Sequence, residues 1–356
     1  MRTLRHGLGA LGLGLLLAGC PADPNAGKTG GTAPTPPGPA ASGGADRKAL
    51  QERAKNIFAP LPADMADAKH PITDERVALG KALYFDTRLS KANDISCNTC
   101  HDLAAFGVDN KPVSPGHEGQ LGDRNSPTVY NAALQFRQFW DGRAADVEEQ
   151  ATKPITNPVE MAMADDAAVV EKLKGIPGYA PLFKAAFEDE ADPISMHNVG
   201  VAIGAFERTL TTPSRWDEFL GGKLDALSDQ EVKGLSTFLE VNCQMCHLGP
   251  LLGGGMYQKL GLMKPYETKD TGRHKETGSD ADKYFFKVSP LLNVEKTAPY
   301  LHDGSLATLE EVTKMMAEYQ LGKTLTDEQV ADLVAFMKAL TGKLPEDKIQ
   351  KPTLPE

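Results

Sequence analysis

The chain has 356 residues, with 38 basic side chains against 48 acidic ones and a formal charge of −10. That balance speaks against nucleic acid as a partner and for solubility, while saying little about fold. Beyond the first residues, no apolar run approaches the ~20 residues that a membrane-spanning helix needs.

Arg2 and Arg5 precede an apolar run from Leu8 to Ala18, about half of spanning length, so residues 1–19 predict an export signal. Leu17-Ala18-Gly19-Cys20 resembles a bacterial lipobox, which implies acylation of Cys20 and cleavage just before it. Losing Arg2 and Arg5 would leave 36 basic residues against 48 and a charge of −12. Residues 21 to 45 are almost entirely Pro, Gly, Ala, Ser and Thr, a composition that cannot bury enough apolar surface to offset chain entropy. Segment 20–45 is therefore expected to be a lipid anchor and disordered tether. The rest is expected to be a soluble body held beside a bacterial membrane in the periplasm.

That body exceeds what one core usually serves, and two domains are expected, 46–215 and 216–356, with the break between Thr211 and Leu227. The pattern is mainly α. Thr73 precedes an amphipathic run through Val77, Leu79, Leu83 and Phe85, and Pro193 to Leu210 repeats apolar residues at helical spacing. Ser228 with Glu231, Thr308 with Glu311 and Thr326 with Gln329 form capping boxes. No sustained alternating strand pattern is present. Segments 107–127 and 249–300 are long and rich in Gly and Pro, as expected of loops that wrap a ligand.

The cysteines are the sharpest signal. Of five, Cys20 belongs to the lipobox and the other four form Cys97-Asn98-Thr99-Cys100-His101 and Cys243-Gln244-Met245-Cys246-His247, 146 residues apart. Two thiols one helical turn apart can both bond one porphyrin, with the following His beneath the iron. Zinc would need four converging ligands and no His after each pair. A disulfide framework leaves both histidines unexplained. The reading is two covalent c-type haems in two tandem cytochrome c-like domains, and the porphyrins account for an aromatic content of only 6%.

The sixth ligands decide what each iron does. Met316 lies 69 residues beyond His247, on the helix opened by Thr308, and a thioether there would raise the potential. Met245, Met256, Met263 and Met315 are alternatives. In the first domain the equivalent separation falls near Met161 or Met163, but His117 stands 16 residues past His101 on a Gly-flanked loop, placed to ligate and to leave. The residues alone leave this choice open.

In order along the chain, the first haem motif, Gly116-His117, Arg124-Asn125-Ser126-Pro127-Thr128, Phe139-Trp140-Asp141-Gly142-Arg143, Asn157-Pro158-Val159-Glu160-Met161, the second haem motif, Thr297-Ala298-Pro299-Tyr300, His302-Asp303-Gly304 and Gln320-Leu321-Gly322 together resemble the bacterial di-haem cytochrome c peroxidases from about Pro71 to Leu340. The resemblance implies a low-potential N-terminal haem where hydrogen peroxide is reduced and a high-potential C-terminal haem that receives electrons. It further implies that His117 is a displaceable ligand, Met316 a fixed one and Trp140 the aromatic group between the haems. Glu160 would be the distal acid–base residue and Gln150 its polar neighbour. Asn125 with the Thr297 and Pro299 carbonyls would form part of a calcium site, a hard oxygen set. The implied donor is a small periplasmic carrier such as a mono-haem cytochrome c or a cupredoxin, and the implied assembly is a homodimer. The rivals are a purely electron-carrying di-haem cytochrome, a lipid-anchored redox sensor and the related enzymes that oxidise protein side chains. In that last group Tyr replaces the distal Met, and Tyr319 lies one turn from Met316.

Overall fold

A computed structural model describes residues 43–356; the expected signal, Cys20 and nearly all of the tether lie outside them. The described residues form thirteen α-helical segments and one short strand pair. In chain order the helices are α1 (Gly43–Lys55), α2 (Asp74–Phe85), α3 (Cys97–Cys100), α4 (Val147–Thr156), α5 (Asp166–Lys174), α6 (Tyr179–Ala186), α7 (Met196–Glu207), α8 (Arg215–Leu220), α9 (Asp229–Val241), α10 (His274–Thr277), α11 (Leu309–Leu321), α12 (Asp327–Ala339) and α13 (Glu346–Ile349). Among these residues no helix is long and apolar enough to cross a membrane.

The local signals in the sequence are realised. Thr73 accepts from the Arg76 N–H to open α2, and Ser195 accepts from the Asn198 N–H to open α7. Ser228, Thr308 and Thr326 each complete a reciprocal capping box, at α9, α11 and α12.

Two apolar cores result. One joins Leu79 and Leu83 of α2 to Val199, Ile203 and Phe206 of α7 and continues to Leu210. The other joins Trp216, with Leu235 and Phe238 of α9, to Leu333 and Phe336 of α12. Each rests on a helix crossing closed at a glycine: a Cβ on Gly80 would overlap the Ala202 carbonyl oxygen, and one on Gly234 that of Asp332. Only a residue without a side chain lets the backbones approach so closely.

The ends of the body cross over. Ala54 and Phe58, from α1 and just after it, pack in the second core, whereas the expected division placed them with the first. Conversely, Leu344, Ile349 and Leu354 pack against the first core, and the Gly178 N–H and the Arg88 guanidinium each donate at 2.7 Å to the carbonyls of Glu356 and Pro355.

Segment 249–300 is not wholly irregular. β1 (Tyr257–Lys259) pairs antiparallel with β2 (Phe285–Lys287), Gln258 opposite Phe286. Three-residue strands are too short to show an alternation in sequence. Arg124 ties the first half to the second, bonding both Asp141 and Asp270. Although burial opposes ionisation, Arg124 holds the Asp270 carboxyl well below the ordinary range.

Candidate active site

A cavity of about 470 Å3 opens beside α3. Ser96 caps α3 together with Thr99, and the His101 N–H bonds the Cys97 carbonyl at 2.9 Å, so Cys97, Cys100 and His101 all reach the same wall. Burial pushes the Cys97 thiol up and the His101 imidazole down, carbonyls of Gly107 and Pro127 opposing the latter. Burial thus favours the neutral imidazole, the form a metal ligand requires.

Gln150 on α4 and Glu160, in the turn after it, line the same cavity, with Arg143 and Glu207. Burial raises the Glu160 carboxyl above its ordinary value, opposed by Arg143 and by Asn157, whose Nδ2 donates to Oε1 at 2.9 Å. His117 is buried, yet it is the preceding Gly116 that lines the cavity. A Cβ on Gly116 would overlap the Val159 carbonyl oxygen, so the loop lies directly on the backbone that carries Glu160. Met161 lines the cavity; Met163 does not.

The second cavity, about 200 Å3, is lined by Cys243, Cys246, His247 and Met316 among mostly apolar side chains. Here the motif opens with a 3-10 turn, Cys243–Met245, after Asn242 ends α9 in left-handed conformation. The His247 N–H again bonds the first cysteine's carbonyl, at 3.0 Å. His247 Nδ1 pairs with the Leu252 carbonyl at 3.0 Å, which orients the ring and leaves Nε2 to ligate. Burial pushes this imidazole down and the Cys243 thiol up to about 11. On α11 Met316 and Gln320 face the cavity, whereas Met315 and Tyr319 do not. Tyr319 instead packs against Tyr266 and beneath the Lys264 ammonium.

The four cysteines are unpaired and lie in pairs on separate cavities, so they cannot converge on one zinc ion. Two thiol pairs, each sharing a cavity wall with the histidine that follows it, fit covalent haem c.

Trp140 and Lys287 line both cavities. The Trp140 indole N–H donates to the Asn125 carbonyl at 2.8 Å, the Asn125 N–H to the His302 carbonyl at 2.8 Å and the Lys287 N–H to the Trp140 carbonyl at 2.7 Å. Segments from both halves of the chain are thus stitched together where the cavities meet.

A family model described as di-haem cytochrome c peroxidase matches residues 74–225. Cytochrome c551 peroxidase of Pseudomonas aeruginosa is 42% identical over 318 residues, covering 87% of this chain and 91% of the relative. Cytochrome c551 peroxidase of Nitrosomonas europaea is 44% identical, covering 83% and 87%. The chain belongs to the di-haem cytochrome c peroxidase family. Among solved structures, a MauG-like protein associated with microbial copper homeostasis matches this family member with a TM-score of 0.70 at 28% identity, over 82% of this chain and 95% of the other.

In this member of the di-haem peroxidase family, Glu160, Gln150, Trp140, Asn125 and the first motif line one cavity, while His117 stands off its wall. Sequence reasoning passed over Glu207, Arg143 and Lys287. A signal existed for the last: Lys287 interrupts the otherwise apolar or small run Tyr284–Leu292, where a cation is out of place unless it has a partner. The cluster of His70, Asp146 and Glu148 has metal-like spacing, but Arg208 already bonds Glu148 and His70 there.

Proposed function

We propose that the chain is a periplasmic, lipid-anchored di-haem peroxidase that reduces hydrogen peroxide to water at the first cavity, with electrons that enter at the second. The observation that carries this is an asymmetry of acid–base groups. The first cavity is lined by the burial-raised carboxyl of Glu160 with Gln150 beside it, whereas no carboxylate is among the residues lining the second.

The haems, when bound, supply the iron chemistry and the electron transfer. Cys97, Cys100 and His101 would hold one, and Cys243, Cys246, His247 and Met316 the other. Glu160 moves the protons: as a carboxylate it takes one from one peroxide oxygen and returns it to the other as the O–O bond breaks, and with two electrons delivered through the second cavity and two further protons both oxygens leave as water. Gln150 holds water or peroxide by hydrogen bonds without adding charge. Trp140, touching both cavities, supplies the aromatic contact between them. His117 would be the displaceable ligand of the first haem; in this structure it stands off the cavity wall, so ligation would require its Gly-flanked loop to shift.

Met245 (66%) within the second motif, Leu248 just after it, and Leu262 and Met263 (63%) in the loop bonded to α11 are exposed. Exposed apolar side chains of this kind suit transient docking of a small mono-haem cytochrome c or cupredoxin. For calcium, the Asn125 Nδ2 is engaged by the Lys111 carbonyl, and among the described residues neither the Thr297 nor the Pro299 carbonyl accepts a hydrogen bond. These oxygens are available to a hard cation. Tyr319 turns away from the second cavity, which gives the protein-oxidising alternative no support. Steady-state peroxide reduction with a reduced c-type cytochrome, before and after one electron is added per chain, tests the reading. Turnover in either condition supports it, and haem-replete protein that never turns over peroxide refutes it.

A further inference from the structure

Lys287, on β2, has the least usual environment of any cation near the cavities. Its side chain is buried and its ammonium meets the Gln135 amide oxygen, on the wall of the first cavity and not of the second. Among the described residues no carboxylate forms an ion pair with it. Asp141, the acid whose charge reaches it, is already engaged by Arg124 and Arg143. Burial accordingly pushes the ammonium down to about 7, Asp141 opposing only in part. A buried cation with a single neutral partner is unfavourable unless an anion completes its shell. Haem c brings such anions, because its propionate carboxylates must lie somewhere on the cavity walls.

We propose that Lys287 is the cationic partner of a propionate of the first haem, and that it thereby raises that haem's potential and fixes its edge against Trp140. The inference rests on the reading that the first cavity holds haem. Lys287 acts as a positioning residue. Its N–H bond to the Trp140 carbonyl ties the strand that carries the charge to the aromatic group shared by both cavities. Loss of a cation beside a buried carboxylate favours the ferric state, so the sign of its effect is fixed.

The test uses the holoenzyme as wild type, Lys287→Arg and Lys287→Gln. Haem is counted by pyridine haemochrome, and both potentials are read by spectroelectrochemical titration. With two haems in each protein, Lys287→Gln is expected to lower the reduced-to-oxidised ratio of the first haem at the wild-type midpoint about tenfold, the scale of a charge-assisted hydrogen bond. Lys287→Arg keeps the charge and should stay near wild type. An unshifted first haem in Lys287→Gln, or an equal shift in both variants, overturns the proposal. A wild-type chain without haem would instead overturn the reading beneath it. Should Lys287→Gln not fold, resonance Raman of the wild type decides. A propionate bending band that moves on transfer to deuterated water supports the N–H contact, and one that stays overturns it.

Discussion

The backbone N–H of His117 donates to the carbonyl of Glu160 at 2.8 Å, with a second contact to the Val159 carbonyl at 3.1 Å. The residue proposed to leave the first haem and the residue proposed to serve the vacated position are therefore fastened to each other. With the loop seated on residues 159–160, Glu160 faces the cavity and His117 does not. A shift of the His117 backbone would have to break these bonds and disturb the turn that carries Glu160.

Glu160→Gln keeps the shape and removes the titrating group. Turnover is expected to fall roughly 10²–10⁴-fold, the usual contribution of a positioned acid–base residue, with haem spectra nearly unaltered. Stopped-flow peroxide consumption checks it, and normal turnover would remove Glu160 from the mechanism.

His117→Gly tests the loop. The fully oxidised variant is expected to react with peroxide at once, without a priming electron. If it stays six-coordinate and inert, Met161 becomes the better candidate ligand, since it lines that cavity and Met163 does not.

Met316→His replaces a thioether by an imidazole, which stabilises ferric iron more strongly. The potential of the C-terminal haem should drop by a few hundred millivolts, on the order of the ligand effect in cytochromes, and electron delivery to the first haem should fail. A redox titration reads both, and an unchanged curve would exclude Met316 as the ligand.

Glu207, buried at the end of α7, is pushed up to about 8 by burial and by the nearby Glu148 charge, Arg208 opposing. Between its ordinary value of 4.5 and about 8 the folded chain holds a proton that the unfolded chain has lost. Its contribution to stability is full below that window and disappears as pH rises through it, at up to about 1.4 kcal/mol per pH unit. Calorimetry of the holoenzyme across that range should show a falling Tm in the wild type and a flatter profile in Glu207→Gln. Parallel profiles would show that Glu207 does not carry the slope.

Capping is a local matter, and for that reason Thr73, Ser228, Thr308 and Thr326 mark helix starts from the order of residues alone. The haem motifs are equally legible, since the chemistry sits within five adjacent residues. Spacing says less about direction. Met316 and Tyr319 are one turn apart, close to the same helix face, and only packing against Tyr266 and Lys264 shows that the tyrosine is turned elsewhere. The standing of His117 off the cavity wall depends on contact with Val159 and Glu160, more than forty positions along the chain. Lys287 gains its meaning from Gln135 and Trp140, which a linear reading cannot bring beside it. The same holds for the crossing-over of both ends, because nothing in residues 344–354 names the core they cover.

That crossing-over bears on the order of assembly during synthesis. Residues 344–356 emerge only after the whole second core has been made, yet Arg88, Gly178 and the first core depend on them for cover. The half that is translated first is therefore the half that is finished last. A chain that stalls before residue 344 leaves the first core without Leu344, Ile349 and Leu354.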